Sequence, residues 1–400
     1  MRNCYLLFLV IAMACQTTTN ANKAYTDNQQ EFKAFIKDLK DNFIYLDERK
    51  DVVDCIEQTY YPFVDTISRP YYKVLFYEQL LNELNDSHIH LNSNTGQSYR
   101  LYAPVYVAEQ DGQFYVKNVF SSQWSSPSLK ENILGAKVIS FNNLALKQRI
   151  GVFATSCHDK NDQEAREWVA NKILAGKLHE PRTLQLGLQS GDTIVVDIDQ
   201  LIKKEEPTLL TSQLFGEVGY IRINNSLGNS SLVPVFDSTL NAMMDTRALI
   251  LDLRNTVDGG NTDVAEPVMG RFILEETGYQ VCENKSERYT RSITPKGDTY
   301  TKPLFVLAGR WTGSMGEGMA IGFDGMKRGT VVGTELHRLA GGMTTIPLKH
   351  SNFGFRLSVE KMFHLDGTPR ERFVPAQYVE QSTVMEDEFL AHALRLAGSK

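Results

Sequence analysis

Leu304-Phe305-Val306-Leu307-Ala308-Gly309-Arg310-Trp311-Thr312-Gly313-Ser314 opens on five apolar residues in succession and closes on a turn. An uninterrupted apolar run of this length reads as a strand buried on both faces. The glycine-bearing turn, followed by Ser314-x-x-Glu317, marks the start of a helix. The same grammar recurs on either side. Val218 to Ile223 reads as a strand and Leu232 to Met244 as a helix. Ala248-Leu249-Ile250-Leu251-Asp252-Leu253 is a buried strand, a helix follows from about Val264, and Val331-Val332-Gly333 is a further strand. Buried strands alternating with helices predict a layered α/β domain over residues 206–400.

Upstream the pattern differs. Phe32, Phe35, Ile36, Leu39 and Phe43 form the stripe of an amphipathic helix, and Val74, Tyr77, Leu81 and Leu84 form a second. Residues 23–98 therefore read as a small helical domain. Between 99 and 205 strands dominate. Val105 to Ala108 and Phe114 to Val119 flank the hairpin signal Asp111-Gly112, and Leu184 to Leu188 and Thr193 to Ile198 flank Ser190-Gly191-Asp192. A helix around Glu164 to Leu174 sits between the two hairpins. The charged stretch Lys203-Lys204-Glu205-Glu206-Pro207 reads as a link to the α/β domain.

A chain of 400 residues fits two or three domains of about 100–200 residues each. A net charge of −6 without a basic block argues against a nucleic-acid partner, which needs a concentrated positive face. Residues 1–22 read as a signal peptide: Arg2, then an apolar run from Tyr5 to Ala14, too short to span a membrane stably. Cys15 after that run resembles the lipidated cysteine of a bacterial lipoprotein signal, which implies possible membrane attachment in the cell envelope. Cys55, Cys157 and Cys282 are odd in number and far apart, so they are expected as ordinary buried cysteines, with neither a disulfide framework nor a zinc site.

Four segments carry groups that could do chemistry. Ser314 stands at the carboxyl end of a buried strand and at a helix N-terminus, where unpaired N–H groups could stabilise an oxyanion. The plainer reading is an N-cap, since Ser314 and Glu317 make a capping box. Gly259 and Gly260 follow Asp252-Leu253-Arg254-Asn255-Thr256-Val257-Asp258 and let the main chain approach a ligand; a tight turn explains them equally. His88, in Asp86-Ser87-His88-Ile89, and Glu371, in Gly367 to Pro375, pass singly for structural and surface residues.

Taken in chain order and together with Gly333 to Gly341, the segments resemble the C-terminal processing (tail-specific) peptidase family, in its tricorn-core-like branch. The counterparts are Asp86 to Ile89, Asp252 to Gly260, Thr312 to Glu317, Gly333 to Gly341 and Gly367 to Pro375. The stretch Glu131 to Asn142 loosely resembles a core strand of PDZ domains. The resemblance implies a ClpP/crotonase-like catalytic domain behind the helical domain and a PDZ-like β-rich module. It also implies an exported serine peptidase acting through an acyl-enzyme on peptide or unfolded protein substrates, with no metal or organic cofactor. The Ser-Lys enzymes of the family carry lysine in the segment that here runs Gly333-Thr334-Glu335-Leu336-His337-Arg338-Leu339-Ala340-Gly341, which has none. The other branch uses a Ser/His/Ser/Glu tetrad. Carried over, Ser314 is the nucleophile, His88 the general base, and Ser87 relays Glu371 to the imidazole. Met315 with Gly259 or Gly260 forms the oxyanion hole. His337 is the rival base. A peptide- or apolar-ligand carrier on the same scaffold, or an esterase using the same serine, are the alternative functions; oligomeric state is left open.

Overall fold

The computed structural model describes residues 18–120, 129, 131–201 and 207–398, with side chains from Asp27 onward. Cys15, most of the leader and Lys203 to Glu206 lie outside the described residues. Helices α1 (Thr18–Asn42), α2 (Leu46–Tyr60) and α3 (Pro70–Asn82) form the N-terminal unit. Phe32, Phe35, Ile36, Leu39 and Phe43 are all buried, as their helical spacing requires. Their partners are not only local. Leu348, Phe353, Phe355 and Leu357, from the other end of the chain, share the same core. Strand β1 (His90–Leu91) then leaves the helical unit.

The middle module holds β2 (Val105–Gln110), β3 (Gln113–Val119), β4 (Lys137–Phe141), β5 (Leu144–Ala145), α4 (Leu146–Gly151), α5 (Gln163–Ala175), β6 (Thr183–Gly187) and β7 (Thr193–Asp197). Its antiparallel sheet runs β2-β3-β4-β6-β7, with β5 on β4. The Asp111-Gly112 turn has positive φ at both residues, 51° and 69°, as its hairpin demands. The outer edge of β2 is closed by side chains of α5. Asn171 bonds both the N–H and the C=O of Val107 (2.9 Å each), Glu167 accepts the Glu109 N–H (3.0 Å) and Gln163 donates to the Glu109 C=O (3.0 Å). Main-chain groups that an added strand would need there are already taken.

The last region starts with the hairpin β8 (Leu210–Phe215) and β9 (Val218–Ile223). It continues through α6 (Leu232–Asn241), β10 (Ala248–Asp252), α7 (Thr262–Gly270), β11 (Thr277–Glu283), β12 (Arg288–Ile293) and β13 (Leu304–Ala308). It ends with α8 (Met315–Gly325), β14 (Thr330–Gly333), β15 (Gly342–Pro347), β16 (Gly354–Phe363), β17 (Gln377–Tyr378) and α9 (Glu388–Leu396). One sheet is ordered β17-β14-β13-β10-β9-β8, parallel except for β8. Its central strands β10 and β13 are buried at every residue, which is why they carry no polar alternation. The second sheet is ordered β1-β16-β11-β12, with β15 on β16. Strand β1 thus docks into a sheet built by the C-terminal half, His90 opposite Arg356 and Leu91 opposite Phe355. That pairing delivers the neighbouring His88 to the α/β domain.

The cysteines depart from expectation. Cys55 on α2 and Cys157, before α5, form a disulfide with Cα atoms 5.6 Å apart, and Cys282 is free and buried. The separation of 102 residues concealed the pair. It exists because the 155–158 loop docks on the helical unit, where the buried Glu83 carboxylate accepts the N–H groups of Ser156 (2.7 Å) and Cys157 (2.9 Å). Among the described residues no helix is long and apolar enough to cross a membrane, and no cluster of His, Cys, Asp and Glu has the makings of a metal site.

Candidate active site

The strand-turn-helix unit of β13 and α8 presents Ser314 in an unusual backbone conformation, φ 48° and ψ −109°. A β-carbon rarely tolerates this region, which costs on the order of 1–3 kcal/mol and persists only where surroundings enforce it. A sharp, strained strand-to-helix turn lifts a nucleophile clear of the sheet. The enforcement is visible. Gly313 donates to Thr256 C=O (3.2 Å), and Trp311 Nε1 donates to Ala103 C=O in the middle module (2.9 Å). Glu317 Oε2 accepts the Ser314 N–H (2.8 Å). Gly259 is required beside it, since a Cβ there would overlap Ser314 Cβ.

His88 reaches across from the helical unit. Its Nε2 lies 3.1 Å from Ser314 Oγ, and its Nδ1 lies 3.0 Å from Ala340 C=O. A carbonyl only accepts, so Nδ1 carries the proton and Nε2 presents its lone pair to the hydroxyl. The ring is 5% exposed. Burial, with the guanidinium groups of Arg370 and Arg356 adding to it, holds the imidazole well below its usual range. His88 is therefore neutral near pH 7, the state in which it can take a proton.

The other expected residues fall as follows. His337 makes no hydrogen bond to Ser314. Its ring sits behind Gly313 with Nδ1 buried and unpartnered among the described residues, and burial and Arg310 lower it to about 4. Ser87 and Glu371 line a cleft of about 500 Å³ beside the pair, together with Tyr45, Asp86, Trp168 and His337. Neither bonds the imidazole. Ser87 Oγ accepts from Trp168 Nε1 (3.1 Å), Glu371 Oε1 accepts from Tyr45 (3.3 Å), and Glu371 Oε2 has no partner among the described residues. The place of the relay is occupied by the Ala340 carbonyl, which sequence reading missed because any residue type supplies one. Asp86 accepts the His88 N–H (2.8 Å); burial raises its carboxyl to about 7. Of the two glycines, Gly259 has its N–H bonded to Thr256 C=O (2.9 Å). The N–H groups of Met315 and Gly260 have no hydrogen-bond partner among the described residues.

Residues 217–375, which carry Ser314, match the model of Peptidase family S41. The fold is similar to that of mature CPAF (TM-score 0.60, 13% identity, 94% of this chain and 96% of that one). It is also similar to the photosystem II D1 C-terminal processing protease (TM-score 0.58, 14% identity, 93% and 98%). A putative peptidase from Parabacteroides merdae shares it as well (TM-score 0.52, 14% identity, 94% and 96%). No sequence among the curated proteins matches the chain. The chain thus carries a Peptidase family S41 domain over residues 217–375, within a fold similar along nearly its whole length to those of mature CPAF and the D1 C-terminal processing protease, and these matches support a serine-type peptidase.

Proposed function

We propose that Ser314 cleaves peptide bonds through an acyl-enzyme, with His88 as its general base, in the manner of the histidine-dependent, tricorn-core-like branch. One observation carries the reading: the Ser314 hydroxyl sits 3.1 Å from an imidazole nitrogen whose opposite nitrogen is fixed by a carbonyl. In this reading Nε2 takes the hydroxyl proton as Oγ attacks the scissile carbonyl, then returns it to the leaving amine. Met315 and Gly260 N–H groups receive the oxyanion, each such donor typically contributing about 3–4 kcal/mol in the transition state. The Ala340 carbonyl fixes the tautomer, a part the tetrad gives to Ser87. Ser87 and Glu371 line the cleft beside the pair, held by Trp168 and Tyr45 and not by the imidazole. No step calls for a cofactor.

Export from the cytoplasm is part of the proposal. The apolar leader with Cys15 supports it, and so does the Cys55–Cys157 disulfide, because such bonds persist mainly in oxidising compartments. The test is labelling with a fluorophosphonate probe. Wild type is expected to label, while Ser314→Ala and His88→Ala lose labelling. Equal labelling of wild type and Ser314→Ala would sink the assignment.

A further inference from the structure

Glu317 does more than a helix cap requires. A capping box needs one carboxylate oxygen on the N-cap N–H, and Glu317 Oε2 supplies it at Ser314. The other oxygen, Oε1, leaves the helix and accepts the N–H groups of Arg338 (2.9 Å) and Leu339 (3.3 Å). The next residue is Ala340, whose C=O holds His88 Nδ1 at 3.0 Å and also accepts from Ser358 Oγ (2.9 Å). Arg370 grips the same loop from its carbonyl side, donating to Leu339 and Gly341 C=O (2.8 Å each). Glu317 and Arg370 are 0% and 2% exposed.

We propose that Glu317 is a positioning residue of the reaction, a single buried carboxylate that sets nucleophile and base relative to each other. One oxygen fixes the main chain of Ser314 in its strained conformation. The other fixes the loop whose carbonyl aims His88. This rests on the reading of Ser314 and His88 given above. A protonated Glu317 would meet three N–H donors with one oxygen turned donor itself, and the span between the two catalytic groups would loosen. Burial pushes its carboxyl up to about 7, against the pull of Arg370 and of the N–H groups of Ser314, Leu339 and Arg338. The groups facing it are Arg370 from the 370–372 turn, the main chain of 338–339, and Ser314 with His88 beyond. His88 is held lower, so on acidification Glu317 takes its proton first.

The experiment is a pH profile of kcat/KM and of fluorophosphonate labelling rate for the full chain and for Glu317→Gln, which mimics the protonated form. For wild type an acid limb centred near 7 is expected. For Glu317→Gln at pH 8, kcat falls by about 10- to 100-fold with KM changed less than about threefold, the scale set by small misplacement of reacting groups, and the acid limb moves to lower pH. A Glu317→Gln enzyme within about twofold of wild-type kcat would overturn the proposal. So would a wild-type profile that stays flat down to about pH 5.5, a measurement that needs no variant to fold. Persistent labelling of Ser314→Ala would remove the reading beneath it, whereas lost labelling there with full activity in Glu317→Gln overturns the positioning role alone.

Discussion

The indole N–H of Trp168 donates to Ser87 Oγ at 3.1 Å, so a helix of the middle module touches the residue beside the proposed base. Trp168→Phe keeps the ring and deletes that bond. Its expected effect is a fall in kcat of about 3- to 30-fold with little change in thermal midpoint, since a neutral hydrogen bond contributes only about 1 kcal/mol. Steady-state kinetics beside a melting curve separate the two quantities.

His337 and His88 predict opposite outcomes. His337→Ala should retain fluorophosphonate labelling within about fivefold of wild type, because the ring makes no bond to Ser314. His88→Ala should lose it by a factor of about 100 or more. A reversed pattern would move the base into the 333–341 loop.

Gly259→Ala is a steric probe of the same centre. Its φ is 66°, and the added methyl would overlap the Ser314 side chain. Activity should drop by about 100-fold or more, as small displacements of a nucleophile do. Wild-type turnover in this variant would show that the turn can move without consequence.

The disulfide gives a stability prediction. Cys55 and Cys157 lie 102 residues apart, and a loop of about that size is worth up to about 4–5 kcal/mol on the chain-entropy account. Replacing both by serine should lower the denaturation midpoint markedly, read by urea titration of intact and doubly substituted protein. Loss of activity without loss of stability would assign the bond a different role.

His88 and Glu317 should tilt the pH dependence of stability in opposite senses. The imidazole is depressed in the folded chain, so between its folded value and about 6.5 the unfolded chain binds the extra proton and stability falls on acidification. The carboxyl of Glu317 is raised to about 7, so between about 4.3 and 7 the folded chain binds the extra proton and stability falls as pH rises. Each group contributes at most about 1.4 kcal/mol per pH unit. Relative to wild type, His88→Gln should gain stability toward acid and Glu317→Gln toward neutral pH. Denaturant titrations at pH 5, 6, 7 and 8 would show it.

Much of this architecture was legible because the α/β domain obeys local rules. β10 and β13 are buried throughout and read as apolar runs, and the stripe from Phe32 to Phe43 is buried along its length. The meeting of Ser314 with His88 lay beyond any local pattern and came from a resemblance in motif order. Three features had no signature. Cys55–Cys157 depends on how two distant segments dock, the Ala340 carbonyl belongs to a residue of no special type, and the Val107–Asn171 closure of β2 needs the packing of a helix on a strand edge. Glu317 was recognised as a cap from spacing alone. Its second oxygen serves a loop more than twenty residues further on, and spacing within a helix says nothing of that.

The docking of β1 onto β16 has a consequence in time. His88 leaves the ribosome 226 residues before Ser314, an interval of about 10 to 45 seconds at ordinary elongation rates. The strand that receives β1, and the Arg370 that steadies the loop around Ala340, emerge later still. A nascent chain therefore holds the proposed base without the proposed nucleophile, then both without the sheet that unites them. With the roles proposed for Ser314 and His88, a peptidase built in this order is harmless to itself and its neighbours for as long as it is being made, and turns on only when its last eighth closes against its first quarter.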